Sequence, residues 1–166
     1  MDTQQFWKLI EEARSQALTS TLDDGYAVAE RAAALLALRP VQEIVAAQQA
    51  FWDLMTDSYR APLWGAAYVI NGGCSDDGFD YFRGWLITQG RETFERVITD
   101  PDALADLPTV GAFAERGIDG ECEAALSAPG PPTRWPPART SPVTPSPSAI
   151  RSWTPNGTST SRTATS

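Results

Sequence analysis

Histidine is absent from this chain of 166 residues, and its absence removes several classes of chemistry at once. Without an imidazole there can be no Ser–His or Cys–His nucleophile pair and no histidine-containing metal site. The two cysteines, Cys74 and Cys122, are too few for a scaffold held together by disulfides. Any catalysis would therefore depend on carboxylates, thiols, tyrosine or arginine.

A long apolar run is also missing. A helix that spans a bilayer needs roughly 20 consecutive apolar residues. The longest candidate, residues 27–38, is interrupted by Glu30 and Arg31. The N-terminus has neither the basic start nor the apolar stretch of a signal peptide. We therefore expect a cytoplasmic protein with free thiols and no membrane contact.

Positive charge is scarce, because 13 Lys and Arg face 21 Asp and Glu and leave a net charge of -8. A phosphate backbone would meet net repulsion, so nucleic acid is not an expected partner. The charge is also divided unevenly. Every acidic residue lies at or before Glu123, so residues 1–128 carry -12 and residues 129–166, with four arginines, carry +4.

The composition changes abruptly at Pro129. Residues 129–166 hold nine of the 13 prolines, interleaved with serine and threonine. Such a segment buries too little apolar surface to offset the entropy of ordering it. We predict one domain over residues 1–128, followed by a disordered Pro/Ser/Thr-rich tail that is a linker, a partner-binding arm or the product of a shifted reading frame.

The reading-frame hypothesis makes a prediction about the gene. Coding DNA of high GC content, read one base out of frame, typically yields Pro, Arg, Ser and Thr. Codons can also be chosen for residues 150–163 that encode an acidic, aromatic peptide in another frame, like the body of the chain. We predict that sequencing through the codons for residues 126–132 will reveal a missing or extra base. An intact single frame would remove the hypothesis.

Apolar side chains recur at helical spacing through residues 1–128, which predicts an all-α, mainly helical single globular domain. Cap residues, glycines and prolines divide this region into elements. We predict a first helix after Asp2 and Thr3, a second from Asp23 or Asp24 to about Leu38, a third after Pro40, a fourth after Pro62, a fifth from Ser75 to Gly90, a sixth over residues 91–99, a short turn at Asp100, an interruption at Pro108 and a last helix capped by Asp119.

Two of these helices carry more specific expectations. The fourth, residues 63–70, could form a buried strand from its Tyr, Val and Ile, but its small residues favour a helix. The third has one apolar stripe, on which we expect it to pack. That stripe consists of Val41, Ile44, Val45, Gln48, Trp52, Met55 and Tyr59.

The helical pattern breaks at residues 71–74, Asn-Gly-Gly-Cys. Paired glycines reach backbone angles that other residues avoid. Ser75 is then a natural N-cap, and Asp76 and Asp77 place negative charge in the first turn, where the helix dipole favours it. We predict a capped turn that leads into the fifth helix.

The same region carries a resemblance to a known family. Residues 67–87, AYVINGGCSDDGFDYFRGWLI, resemble the hallmark of the bacterial domain-of-unknown-function family 4240, and the opening MDTQQFW is similar to the start of its members. The resemblance covers roughly residues 1–126. It implies a shared fold, but the family has no established activity, so it implies no catalytic residues. Members usually continue into an acidic, aromatic C-terminal stretch, from which this tail departs.

Residues 71–83 and their neighbours are the candidate site, although no catalytic set can be assigned. We assign no cofactor and no metal ligand set, and the sequence indicates no particular oligomeric state. The candidate site residues are Asn71, Gly72, Gly73, Cys74, Ser75, Asp76, Asp77, Asp80, Tyr81, Arg83 and Trp85.

Each feature of this site has a structural and a functional interpretation. A glycine-rich turn at a helix N-terminus can bind an anion, but Asp76 and Asp77 would repel one, which favours a capped turn. The same two residues with Asp80 could bind a divalent cation, although their spacing fits no known calcium loop, and a solvated acidic face is favoured.

The remaining side chains are equally open to two interpretations. Cys74 lies beside a helix start, yet the nearby aspartates oppose a thiolate, so an inert cysteine is favoured. Arg83 could clamp a carboxylate or stack on a ring, or it could pair internally with Asp80 or Asp76. The aromatic residues fit a helical core but could also line a pocket or a partner groove. They are Trp52, Tyr59, Trp64, Tyr68, Tyr81 and Trp85.

The function predicted from these observations is a non-enzymatic cytoplasmic domain that binds another protein. The acidic body, the lack of histidine and the lack of an assembled catalytic set favour it. The alternative is a small-ligand domain or divalent-metal-dependent enzyme, with Asp76, Asp77 or Asp80 as base or metal ligand and Arg83 as substrate clamp.

Overall fold

The computed structural model of the chain describes residues 1–17 and 25–127. Within these ranges every regular element is helical, which confirms the all-α prediction. The predicted caps at Asp23 and Asp24 and the predicted tail from residue 129 onward lie outside the described residues. The elements, in chain order, are α1 Thr3–Gln16, α2 Gly25–Ala37, α3 Val41–Asp57, α4 Ala61–Ile70, α5 Asp76–Thr88, α6 Arg91–Thr99, the 3₁₀ helix Pro101–Asp106, α7 Pro108–Arg116 and α8 Ala124–Ser127.

Local chemistry explains several helix starts. Asp2 caps α1 in a capping box, in which the Asp2 carboxylate accepts from the Gln5 N–H at 2.8 Å and the Gln5 side chain accepts from the Asp2 N–H at 2.9 Å. Pro62 lies in the first turn of α4, where the missing N–H costs nothing. Residues 63–70 lie within α4, so this segment is a helix and not a strand, as predicted.

Helix α5 lies at the centre of the domain. Nine of its 13 residues are buried, and it contacts α2, α3, α4, α6 and α8. Its aromatic residues join those of α1, α3 and α6 in one continuous core. Burial of these large rings supplies much of the apolar surface that stabilises the fold. The most deeply buried aromatic side chains of this core are Phe6, Phe51, Phe79, Phe82, Trp85 and Phe94.

The stripe predicted for α3 is wrong in part. Val41 and Val45 are 69% and 58% exposed, and Met55 is the only fully buried residue of the predicted stripe. The helix packs instead on a neighbouring face, because two of its alanines, Ala47 and Ala50, let other helices approach closely while Phe51 and Leu54 fill the core. The buried residues of α3 are Ala47, Ala50, Phe51, Leu54 and Met55.

The end of the domain differs from the prediction in two places. The helical run is interrupted before Pro108, as predicted, but Pro108 also begins α7, a helix that was not predicted, since a proline at the first helical position needs no N–H partner. Asp119 does not cap the last helix, which begins at Ala124. The N–H groups of Gly120 and Cys122 are instead bonded to Asn71 and Tyr81, so the residues between them are held out of a helix.

Alanine substitutions at two helical glycines are expected to change the free energy of unfolding in opposite directions. A Cβ at Gly84 would lie 2.9 Å from Leu126 Cδ1 and 3.0 Å from the Cys122 carbonyl oxygen, whereas a Cβ at Gly65 would meet no atom within 4 Å. We expect Gly84→Ala to lower the free energy of unfolding by about 1–3 kcal/mol through overpacking. Gly65→Ala should raise it by up to about 1 kcal/mol through helix propensity. Urea denaturation measures both, and a stabilised Gly84→Ala would contradict the close packing of α5 on α8.

Candidate functional site

The candidate site lies where the end of α4 turns into α5. Gly72 and Gly73 form the turn with φ values of 65° and 153°, which residues with a side chain rarely adopt. Asn71 then fastens the turn to a distant segment, because its Oδ1 accepts from the Gly120 N–H at 3.0 Å and its Nδ2 donates to Glu121 at 3.5 Å. The turn is thus held by side-chain bonds as well as by its own geometry.

Cys74 is held by its backbone and has a weakly acidic thiol. Its carbonyl oxygen accepts from Trp64 Nε1 at 3.1 Å. Burial, reinforced by the nearby Glu121 carboxylate, raises the pKa of the Cys74 thiol to about 12. The thiolate form, which is the nucleophile, is therefore scarce near neutral pH. The geometry fits the inert cysteine favoured by the sequence.

Ser75 and the two aspartates after it begin α5 as predicted. The Ser75 hydroxyl oxygen accepts from the Gly78 N–H at 3.1 Å. Asp76 and Asp77 are exposed in the first turn of the helix. Their negative charges lie at the positive end of the helix dipole, on the solvent-exposed side of the helix.

Asp80 and Arg83 form the one internal ion pair of this region that the described residues contain. Arg83 is only 4% exposed. Its Nη2 donates to Asp80 Oδ1, and its Nη1 donates to the Met55 carbonyl oxygen in the last turn of α3. The internal pairing of Arg83 with Asp80, one of the sequence alternatives, is therefore observed. A cation at this carbonyl also meets the negative end of the α3 dipole.

Two aromatic rings complete the surroundings of Arg83. The guanidinium carbon lies 4.9 Å from the centre of the Tyr59 ring and 4.8 Å from that of Phe79. The Phe79 ring stacks on Trp64 at 5.0 Å with an angle of 8° between the planes. Cation–π attraction to the buried Phe79 ring and to the more exposed Tyr59 ring stabilises a guanidinium whose Nε has no hydrogen-bond partner among the described residues.

Burial shifts the proton affinities of this pair. Desolvation raises the pKa of the Asp80 carboxyl, although the Arg83 guanidinium opposes the shift. Desolvation also lowers the pKa of Arg83, and Asp80 opposes that shift. Each partner therefore offsets part of the free-energy cost of burying the other. The hydrogen bonds of the pair connect α5 to α3 within the domain.

Tyr81 and Trp85 do not converge with Arg83. The Tyr81 carbonyl oxygen accepts from the Cys122 N–H at 3.0 Å, and the Glu123 carboxylate raises the pKa of the Tyr81 phenol. Trp85 is buried and meets the edge of Phe113 at 5.4 Å between ring centres. One residue anchors the segment before α8, and the other belongs to the core.

Sequence reasoning missed the residues that come from outside the 71–85 segment. These are the Met55 carbonyl, which accepts from Arg83, Gly120, whose N–H donates to Asn71, and Glu121, whose carboxylate accepts from Asn71. The sequence places Tyr59 on the predicted stripe of the third helix and among the aromatic residues, but it does not link Tyr59 to Arg83. No local signal could have found these contacts, because each joins positions far apart in the chain.

The part of the chain that the structure describes has no candidate metal site and no candidate membrane-spanning helix. No group of three or more Asp, Glu or Cys side chains there is arranged to hold a metal ion. None of the helices there is long and apolar enough to cross a membrane. A surface cleft of about 370 Å³ lies away from the candidate site, between α1 and the start of α3, lined by Met1, Gln5, Lys8, Leu9, Glu12, Arg39 and Glu43.

The buried ion pair makes a prediction about stability. We expect Arg83→Met to lower the free energy of unfolding by about 3 kcal/mol, because the half-buried Asp80 carboxylate and the Met55 carbonyl lose their cationic donor. Arg91→Met is the matched control, since Arg91 and Glu95 are exposed and their pair contributes about 0.5 kcal/mol. Urea denaturation followed by tryptophan fluorescence measures both variants.

A second variant keeps this test informative. Adding Asp80→Asn to Arg83→Met removes the uncompensated charge, so the double variant should be more stable than the single one. Losses of equal size for Arg83→Met and Arg91→Met would show that Arg83 does not hold α3 to α5.

Comparison with known proteins covers the part of the chain in which the site lies. The family model described as Protein of unknown function (DUF4240) matches residues 1–130. No curated protein and no solved structure matches the chain. The matched residues include the Asn71 turn, the Asp80–Arg83 pair and the segment that Asn71 fastens. The chain therefore belongs to DUF4240, a family of proteins of unknown function.

Proposed function

We propose that this domain works in the cytoplasm by binding another protein rather than by catalysing a reaction. The observation that carries the proposal is a group of aliphatic side chains that the fold leaves in solvent at the junction of α2 and α3. Leu38 is 86% exposed, Val41 69% and Val45 58%. Exposed apolar side chains that lie close together mark interaction sites more often than scattered ones do.

The position of these three residues supports the proposal. They fall within eight consecutive positions, and Val41 and Val45 are four residues apart in α3, so they share one side of that helix. The core already has a different face of α3, with Phe51 and Leu54. An exposed apolar face on a helix that is already packed does not stabilise the isolated domain. Such a face is typical of a surface that a partner covers.

The alternative, an enzyme or small-ligand domain centred on residues 71–83, has less support. Its proposed substrate clamp, Arg83, is buried and already bonded to Asp80 and to the Met55 carbonyl. Asp76 and Asp77 are exposed on the outside of the helix start. A substrate would have to displace internal bonds to reach Arg83, whereas a binding protein needs no such step.

The negative charge of the body indicates what kind of protein would associate quickly. Residues 1–128 carry -12, so a basic partner would be steered towards this surface and an acidic one repelled. This long-range effect should weaken as salt is added.

The proposal is tested by a binding measurement with a purified partner. The full chain is tagged in its native host, cross-linked and isolated, and each recovered protein is then purified and titrated with the chain by calorimetry. We expect Val41→Ser to raise the Kd at least about tenfold through loss of apolar contact. Val69→Ser is the matched control, because Val69 is an exposed valine of α4.

Two outcomes would contradict the proposal. One is that no recovered protein binds the purified chain. The other is a rise in melting temperature with magnesium, manganese or calcium that Asp76→Asn abolishes, which would favour the metal-dependent enzyme.

A further inference from the structure

Four side chains of α3 form a row beside the face that the core buries. Val41, Val45, Gln48 and Trp52 follow one another at spacings of four, three and four residues. At about 100° per residue, these spacings bring each side chain back to nearly the same direction, so all four lie within about 60° around the helix. Val41 and Val45 are exposed, and Gln48 and Trp52 are only partly buried. We call this row the α3 seam.

The spacing of the α3 seam is that of helices that pack side by side. Steps of four and three residues average about 3.5, the repeat at which each side chain of one helix fits between side chains of a neighbouring helix. Met55 continues the repeat but is buried, so the solvent-facing part ends at Trp52. Among the described residues no helix covers the two valines, which are 69% and 58% exposed. The seam is therefore shaped for a helix from outside the domain.

The α3 seam carries no charge, although residues 1–128 together carry -12. The carboxylates of α3 are those of Glu43, Asp53 and Asp57, and each lies at least about 100° around the helix from the middle of the seam. The exposed residues that flank the seam, Gln42 and Gln49, are neutral. In paired helices, charges at such flanking positions select the partner. Neutral flanks let an identical helix approach without contact between like charges.

We propose that the α3 seam pairs two copies of this chain, with their α3 helices antiparallel about a two-fold axis between Val45 and Gln48. Each Val45 then lies against Gln48 of the other copy, and each Val41 lies against Trp52 of the other copy. The outer layers thus combine a small side chain with a large one, which fills the interface evenly. Each Gln48 amide both donates and accepts hydrogen bonds, so the two amides can bond to each other near the axis.

An antiparallel pair is favoured over a parallel one for two reasons. In a parallel pair the two Trp52 rings would share one layer and the two Val41 side chains another, so one layer would be crowded and the other underfilled. The negative C-terminal ends of the two α3 helices would also lie side by side, whereas in an antiparallel pair each lies beside a positive N-terminal end. Both copies use the same surface, so the interface closes as a dimer.

The length of the seam sets the expected affinity. The seam spans about 16 Å of helix, and Leu38, which is 86% exposed, adds apolar surface at one end. Such a contact covers less than the about 800 Å² per partner of a stable interface, so we expect a reversible dimer with a Kd of roughly 10–100 μM. The inference goes beyond the proposed function, because a different protein must displace the second copy to reach Val41 and Val45.

Sedimentation equilibrium of the full chain measures this Kd. We expect Val45→Glu to raise it at least about tenfold, because the dimer would bury a carboxylate without a counter-charge. Val69→Glu on α4 adds the same charge at another exposed valine and should leave the Kd within about twofold. Circular dichroism and urea midpoints equal to those of wild type show that both variants fold. A wild-type chain that stays monomeric up to about 1 mM, or equal effects of the two variants, would overturn the inference.

A pair of complementary variants tests the antiparallel register. Mixing the Val45→Glu chain with the Gln48→Lys chain places a carboxylate opposite an ammonium if position 45 faces position 48 of the other copy. We expect this mixture to dimerise at least about tenfold more tightly than Val45→Glu alone. Gln4→Lys is the matched control, because Gln4 is exposed on α1, and its mixture with Val45→Glu should show no gain. No gain from Gln48→Lys, or an equal gain from Gln4→Lys, would overturn the proposed pairing.

Salt separates a second copy from a basic partner. Two acidic copies repel each other at long range, and salt screens that repulsion. The Kd of the dimer should therefore fall at least about twofold between about 0.05 and 0.5 M salt, whereas the binding of a basic protein should weaken. A dimer Kd that rises with salt would overturn the inference.

The inference and the proposed function can fail separately. If the chain stays monomeric while a natural partner loses affinity with Val41→Ser, protein binding stands and the second copy is wrong. If the chain dimerises through Val45 while no recovered protein other than the chain itself binds, the proposed function fails and the dimer stands.

Discussion

A single buried guanidinium holds the two central helices of this domain together. The Arg83 side chain extends from the middle of α5 to the last turn of α3. There it donates to the Met55 carbonyl, while the Asp80 carboxylate neutralises the charge of the guanidinium. The rings of Tyr59 and Phe79 enclose the same cation. A buried charge is tolerated only when hydrogen bonds and counter-charge are both supplied, so these groups must lie in one arrangement. The relative position of α3 and α5 follows from that requirement.

The neighbouring turn is organised by the same need to satisfy buried polar groups. Asn71 accepts the Gly120 N–H, Cys74 accepts the Trp64 indole N–H, and Tyr81 accepts the Cys122 N–H. These bonds fasten α4, α5 and the segment before α8 to one another. A motif that resembles a binding loop in sequence is therefore also a structural joint, and its polar side chains are largely occupied within the domain.

Helix α3 contrasts with this joint because its two sides meet different surroundings. One face gives Phe51 and Leu54 to the core, and another leaves Val41 and Val45 in solvent. The apolar surface that the fold does not use is thus on the outside of the helix that Arg83 fixes in place. A face carried on a rigid helix loses little conformational entropy when a partner covers it.

The sequence by itself determined where most helices begin and end. Caps such as Asp2 and Ser75, the proline Pro62 and the paired glycines after Asn71 act within one helical turn, so their effects can be read locally. The nearness of Asp80 and Arg83 also follows from local spacing, since they are three residues apart.

Only the tertiary structure determined which of these local features contact each other. Arg83 and Met55 are 28 positions apart and Asn71 and Gly120 are 49 apart, so no helical periodicity links them. The same holds for α3, whose pattern predicts one apolar stripe although a different face is buried. The face with Ala47 is buried because small side chains allow close packing, and that choice depends on the neighbouring helices rather than on α3 itself.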